Sequence, residues 1–298
     1  MNAPSMLILS LAVAVLSQSC TKYFTKTFAV SPAGRFVYNG GANLISALVL
    51  LCWGGFGAPS TFTVLLGVAF GVVTALQGIS VLAALQCGPM SYTMVITSFS
   101  LLVAALSGVA FFDERLSWAQ IIGIVFMLGS FVLAVGVDKQ GKKANFKWLV
   151  LCMAAFALTG GIGVMQKVHQ SSPHRDELNA FLVVAFFAGT LLCALFVALL
   201  KARETKTSSQ LRAAPGRLWV VPGLMLISGG CVAINNKFNL YLSGVMDSAV
   251  FFPVFNGGLL VATTLAALVI FKERLTKRQW LGVVLGITSV VFLCNPFG

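Results

Sequence analysis

Charge is what this chain has least of. Charged residues occupy 9% of 298 positions, and only eight of them are acidic. A soluble domain carries about 25% charged residues to keep its surface in water, so a water-soluble fold is excluded. Cysteine pairs with ligand spacing are also missing. Cys20, Cys52, Cys87, Cys152, Cys193, Cys231 and Cys294 all lie within or at the ends of apolar segments, with no CxxC and no Cys/His cluster. They read as small buried apolar residues rather than as a disulfide or metal framework. No carboxylate falls inside an apolar run. Asp113, Glu114, Asp138, Asp176, Glu177, Glu204, Asp247 and Glu273 sit in loops or at run ends, and His169 and His174 read as loop residues. An intramembrane enzyme would need paired acid/base groups or metal ligands in its helices, so neither catalysis nor a cofactor is expected. A proton-coupled exporter usually carries a carboxylate within the membrane, so a facilitator or exchanger is expected, or coupling at a helix-end group such as Asp247. Glu114 and Glu273, each followed by Arg, are expected to fix their turns through local ion pairs.

What is present is apolar. The chain is 58% hydrophobic with a mean hydropathy of +0.94. About ten runs are long enough to cross roughly 30 Å of hydrocarbon, near 6–28, 35–54, 61–86, 90–111, 117–137, 147–168, 179–200, 217–242, 247–271 and 279–295. They are continuous rather than alternating, which excludes a membrane β-barrel. The expected fold is all-α, a multi-pass protein of the cell membrane, of the bacterial inner-membrane type. The opening MNAPSM has no basic region, so the first run is expected to be a retained helix rather than a cleaved signal.

The net charge of +12 needs no nucleic acid to explain it. Sixteen of the twenty Lys and Arg fall in the connections after runs 1, 5, 7 and 9, and only Arg115, Lys167, Arg175 and Lys237 lie on the other side. Basic residues are retained in the cytoplasm, so this bias places both termini outside.

The chain also repeats itself. Thr93 to Ala134 and Phe251 to Leu293 each read as an apolar helix, a charged elbow and a second apolar helix. In register, Glu114, Arg115, Leu116 and Gln120 fall on Glu273, Arg274, Leu275 and Gln279. Ser31-Pro32 matches Ser172-Pro173, Gln18 matches Thr159, Thr25 matches Gln166, and Lys26 matches Lys167. Beyond the polar insert Lys201–Arg217, Gln77 matches Asn236 and Thr97 matches Asn256. The expected halves are 1–138 and 147–298, joined by a linker at 139–146. Five helices per half is an odd number, so the halves must be inverted relative to one another, as in alternating-access carriers.

The elbows FFDERLSWAQIIGIVFMLG and FKERLTKRQWLGVVLG resemble those of EamA-type transporters in the drug/metabolite transporter superfamily, over nearly the whole chain. That resemblance implies a basket of two five-helix inverted repeats. Its central cavity would be lined by helices 1, 3, 4, 6, 8 and 9, with 5 and 10 at the periphery. It implies movement of small metabolites, commonly amino acids, outward, and both termini in the cytoplasm. The family often has Glu-Pro in the helix before each elbow, where this chain has Thr93-Met94 and Phe252-Pro253.

Polar residues within the runs are the candidates for a substrate cavity. Gln18, Lys22 and Lys26 form one stripe at i, i+4, i+8. Gln77, Tyr92, Thr97, Gln166, Lys167 and Asn256 are further candidates. So is the run Asn235-Asn236-Lys237-Phe238-Asn239-Leu240-Tyr241, where Asn235 and Asn239 share a face. Lys237 could attract an anionic group or snorkel to the interface, and the asparagines could contact substrate or a neighbouring helix. Pro253, Gly257 and Gly258 can kink one helix and act as a gate, whereas Gly67/Gly71 and Gly282/Gly286 are small-xxx-small packing pairs. The expected function is export of a small polar metabolite, with a lipid bilayer around the protein and no nucleic-acid partner. Two fused halves allow a monomer to work. Translocation of a lipid-linked or nucleotide-activated sugar, or a non-transporting structural or receptor role, stand as the alternatives.

Overall fold

The computed structural model describes residues 3–28, 32–87, 93, 96–134, 146–203, 219–271 and 276–293. Its elements are helices α1 (Ala3–Phe28), α2 (Pro32–Gly54), α3 (Thr61–Cys87), α4 (Leu101–Phe111), α5 (Trp118–Ala134), α6 (Phe146–Gln170), α7 (Leu178–Arg203), α8 (Val220–Val245), α9 (Ser248–Phe271) and α10 (Lys277–Leu293), with a 3-10 turn at Arg175–Glu177. No strand occurs among the described residues. Among the described residues, five helical segments are long and apolar enough to cross a membrane: Ala3–Phe24, Ala33–Gly54, Thr61–Val81, Phe146–Gln170 and Arg175–Leu200.

Outward-facing side chains suit hydrocarbon. Ile8, Leu65, Leu191, Leu226 and Val284 are all exposed, and a water-soluble surface would not carry so continuous an apolar skin. Four of the five tryptophans are exposed at or beside helix ends: Trp53, Trp118, Trp219 and Trp280. An indole, apolar but with one N–H, favours the level of lipid headgroups. Cys52, expected to be buried, is exposed on α2, whereas Cys20, Cys152, Cys193 and Cys231 are buried.

Two compact units emerge. One comprises Met1–Ala75 with Ser172–Asn239, and the other Leu76–Ser171 with Leu240–Gly298. Each compact unit draws on both of the halves expected from the sequence.

In the first unit, α2 packs antiparallel against α7. Phe36 stacks on Phe196 at 5.6 Å, Thr190 Oγ1 donates to the Gly40 carbonyl (3.4 Å), and Asn179 reaches Leu50. Helix α1 runs antiparallel to α8, with Ser10 hydrogen-bonded to Asn235 and Ser17 to Ser228. Phe24, Phe28 and Tyr38 form a buried aromatic cluster against Val221, Leu224 and Met225. Pro32 opens α2, where its missing N–H would have had no helical partner.

The second unit is organised by α5 and α10. Ser130 Oγ donates to the Gly282 carbonyl (2.7 Å), and Ser289 Oγ donates to the Gly123 carbonyl (2.6 Å). The late residue of each helix meets the early residue of the other, so the two run antiparallel. In the sequence repeat, Ser130 corresponds to Ser289 and Gly123 to Gly282, so the contact is reciprocal. The helix starts match as well. Ser117 and Gln120 form a capping box on α5, with Ser117 N–H donating to Gln120 Oε1 (2.8 Å) and Gln120 N–H to Ser117 Oγ (3.2 Å). Thr276 and Gln279 repeat this on α10 at 2.9 and 3.3 Å. Among the described residues, α5 with α10 and α2 with α7 are the most extensive helix pairings, and each joins helices that hold the same place in the two halves.

A β-carbon on Gly123 would lie 2.8 Å from the Leu293 side chain and 3.1 Å from its backbone nitrogen. Gly123→Leu is therefore expected to lower stability by about 1–3 kcal/mol through overpacking. Ser130→Ala and Ser289→Ala should each cost about 0.5–1.5 kcal/mol, and by equal amounts. Thermal melting of the three purified variants in detergent checks both the ranking and the equality.

Candidate functional site

Polar side chains inside apolar helices must find donors and acceptors within the chain. The repeat-related candidates do so locally. Asn236 Nδ2 donates to the Val232 carbonyl (2.9 Å), Asn256 Nδ2 to the Phe252 carbonyl (2.7 Å), and Thr97 Oγ1 to the Thr93 carbonyl (2.9 Å). Each bond closes on the residue's own helix, one turn back. Gln77 is half-buried on α3. Gln18 is exposed and Lys22 half-buried, while Ser17 is the buried residue beside them, bonded to Ser228 at 3.1 Å. Tyr92 and the side chain of Lys26 lie outside the described residues.

The Asn-rich run of α8 divides between two settings. Asn235 and Asn239 bridge to α1: the hydroxyl of Ser10 lies 2.8 Å from Asn235 Oδ1 and 2.9 Å from Asn239 Oδ1, and Asn239 Nδ2 donates to Asn235 Oδ1 (3.3 Å). Lys237 points elsewhere. Its ammonium lies 4.2 Å from the centroid of the Trp53 ring and donates to Asn179 Oδ1 (3.2 Å). Asn179 Nδ2 donates in turn to the carbonyls of Leu50 (2.9 Å) and Gly55 (2.6 Å). These carbonyls end α2, where the helix leaves acceptors unfilled and its dipole favours positive charge. Gly55 turns the chain there at φ 66°, a left-handed conformation that glycine adopts without strain. The cation is thus shared among an indole face, an amide and a helix C-terminus.

At the connection between α6 and α7, Glu177 caps α3. Its carboxylate accepts from Ser60 N–H and Ser60 Oγ, both at 2.8 Å, and lies 3.3 Å from His174 Nδ1.

Among the described residues the most buried ion pair lies in the second unit, where the sequence expectation needs correction. Glu114 is not held by a local pair with Arg115, which is exposed. Its carboxylate pairs with Lys167 Nζ at 2.7 Å, with side chains only 5% and 9% accessible. It also accepts from Ser248 N–H (2.8 Å), Ser248 Oγ (3.1 Å) and Ala249 N–H (3.4 Å), the first amides of α9. Lys167 donates further to the Met246 carbonyl (3.1 Å) and lies 5.9 Å from the Phe112 ring. Asp113 adopts φ 55° and turns the chain back, and Glu114 N–H closes on the Gly108 carbonyl (3.2 Å). Gly108 leaves room for the carboxylate, since a β-carbon there would overlap it. A carboxylate outside the apolar runs is thereby carried into the protein by its elbow.

His169 is a second correction. It lies in the last turn of α6, fully buried, with Nδ1 3.1 Å from Gln170 Nε2. Gln166 is buried on the same helix. Pro253 stands inside a continuous α9, and Gly257 receives the Met127 side chain where a β-carbon would collide with it, while Gly258 is half-buried. Sequence reasoning gave no role to Gly108 and Ser248. The Asp-Glu turn following a glycine at the end of α4 was the available signal. The repeat counterparts of the ion pair, Lys26 and Glu273, lie outside the described side chains.

No protein-family model matches the chain. It is similar to a protein of Haemophilus influenzae (strain ATCC 51907 / DSM 11121 / KW20 / Rd) described as uncharacterized, at 25% identity over 201 residues. That alignment covers 65% of this chain and 62% of the relative. A crystal structure of another protein superposes with a TM-score of 0.72 at 17% identity, covering 97% of this chain and 98% of that one. At that identity the likeness carries the fold alone.

Asn179→Ala removes the donor to two helix-end carbonyls and the acceptor for Lys237. It should lower stability by about 1–3 kcal/mol. Lys237→Met keeps the stem and should lower it less. Paired melting curves in detergent check the order.

Proposed function

We propose that this chain is a secondary carrier that exports a small polar metabolite, an amino acid or related compound, across the cytoplasmic membrane. In this reading it is an EamA-like protein of ten spans, two inverted five-helix repeats that rock around a site at the bilayer midplane. The observation that carries the reading is the reciprocal pair Ser130–Gly282 and Ser289–Gly123 between antiparallel α5 and α10. Two helices from equivalent places in two halves meet by a local two-fold relation, as identical surfaces do in an isologous contact. In this reading an axis that reverses helix direction would lie in the membrane plane, which is the symmetry that alternating access uses.

Gln77 with Asn236, and Thr97 with Asn256, are the proposed lining. Lys167 and Lys237 are engaged by groups of the chain itself. The remaining neutral amides and hydroxyls suit a neutral or zwitterionic metabolite better than a nucleotide sugar.

The test is comparative metabolite profiling of cells and medium expressing wild type, Asn236→Ala or Asn256→Ala at matched levels. One metabolite class should move outward with wild type. Either variant should reduce that movement by about tenfold, the effect of losing one good polar contact to the substrate. Profiles equal to empty vector for all three proteins, across several growth conditions, would overturn the carrier reading.

A further inference from the structure

A charge within or beside a membrane helix needs an opposite charge, a helix end or water. Lys167 has Glu114, and Lys237 has Asn179 beside the end of α2. Arg35 has neither. It stands in the first turn of α2, half-buried, and its Nε is buried with no hydrogen-bond partner. No ion pair to its guanidinium occurs among the described residues. A buried donor on a cation is costly when no acceptor meets it, so this group calls for an anion.

The unit around Arg35 supplies none. Its described acidic residues are Asp176 and Glu177. Both lie at the far end of α2, because Asn179, just after them, bonds the Leu50 carbonyl. A rise of roughly 1.5 Å per residue puts Leu50 about 22 Å from Arg35. Lys22, in the last two turns of α1 and so at Arg35's own end, carries the same sign.

The place of Arg35 on its helix shows what surrounds it. Arg35, Tyr38, Ala42 and Ser46 fall on one face of α2. Tyr38 O–H donates to the Leu224 carbonyl (3.4 Å) and Ser46 Oγ to the Gly229 carbonyl (2.8 Å). Later residues meet later residues, so α2 and α8 run parallel, and the Arg35 end of this face meets α8 near its start at Val220. Two helix N-termini therefore open at one level beside a guanidinium, each with unfilled amides and positive partial charge. Trp219, immediately before α8, is 88% exposed, as suits an indole at headgroup depth.

We propose that Arg35 binds a phosphate oxyanion, and that this phosphate is the headgroup of a membrane phospholipid seated at the shared start of α2 and α8. A planar guanidinium offers paired N–H donors that match two phosphate oxygens. Its charge is delocalised, so an oxyanion held by the outer N–H donors neutralises the buried Nε side as well. Headgroup depth favours a lipid over a soluble phosphate, and Tyr23 and Val37, both exposed at this end of α1 and α2, offer apolar surface to the acyl chains. The site stands whether or not the chain is a carrier.

The test uses protein purified in neutral detergent, stripped of lipid and melted with three probes. These are phosphatidylglycerol, a glucosyl diacylglycerol with the same tails but no phosphate, and inorganic phosphate. A ligand that binds the folded state raises Tm by an amount set by its affinity. Phosphatidylglycerol should raise the wild-type Tm at concentrations where the other two do not. Arg35→Gln should need about tenfold more of it for the same rise, as expected when one charge-assisted contact is lost. Lys147→Gln, which removes an exposed basic residue at the start of α6, should respond as wild type does. An unchanged response in Arg35→Gln would overturn the proposal, as would an equal rise with the glucosyl lipid or a loss shared by Lys147→Gln. An equal rise with inorganic phosphate would overturn the lipid as the source. Phenylglyoxal modification of the wild type decides the matter even if Arg35→Gln does not fold. Peptide masses report the reaction at Arg35, which phosphatidylglycerol should slow by about tenfold. Equal reaction in the two lipids would overturn the site.

Discussion

A serine hydroxyl facing a helix in hydrocarbon has no water to bond, so it must find an acceptor on the chain, and the second lone pair of a backbone carbonyl is the nearest one. Reaching it requires the two backbones to approach closely, which glycine permits. Among the described residues that solution occurs in Ser130 to Gly282, Ser289 to Gly123, and Ser46 to Gly229 at 2.8 Å. Helix packing in lipid cannot rely on the hydrophobic effect, since lipid is as apolar as leucine. Close contact at small residues and hydrogen bonds of this kind are what remain, and the pairing of α5 with α10 depends on both.

Charges follow a related rule. Among the described residues, three ionic side chains are held at helix termini, where backbone groups lack helical partners. Glu114 takes the first amides of α9, Glu177 takes the amide of Ser60 just before α3, and Lys237 is held beside the last carbonyls of α2 through Asn179. The signs agree with the helix dipole, negative at the N-terminus and positive at the C-terminus. The chain thereby tolerates charge at its helix ends while keeping the helix middles apolar.

The small number of charges makes each buried one conspicuous. With eight carboxylates in 298 residues, one that is buried must be compensated by a cation and by helix amides. Glu114 is one such group, and it touches the helix that carries Pro253.

Most helices among the described residues were legible in the sequence as long apolar runs, whereas α4 covers only Leu101–Phe111 of the run expected over 90–111. Their ends mostly fall within three residues of the runs, as with 61–86 against Thr61–Cys87 and 247–271 against Ser248–Phe271. Repetition was legible too, since Glu114 and Glu273, or Gln120 and Gln279, keep their order and spacing. Long-range partners were not. Composition cannot tell which carboxylate an elbow will turn inward, so Glu114 read as a local partner of Arg115, and His169 read as a loop residue though α6 extends over it. Asn235 read as a possible substrate contact, yet its oxygen lies beside Ser10, 225 positions away in the chain. The sequence by itself determined that this is a helical, lipid-suited chain, because periodicity and hydropathy are local properties. Only the tertiary structure decided which polar groups meet, because each of those meetings depends on the register and approach of two helices that no single segment encodes.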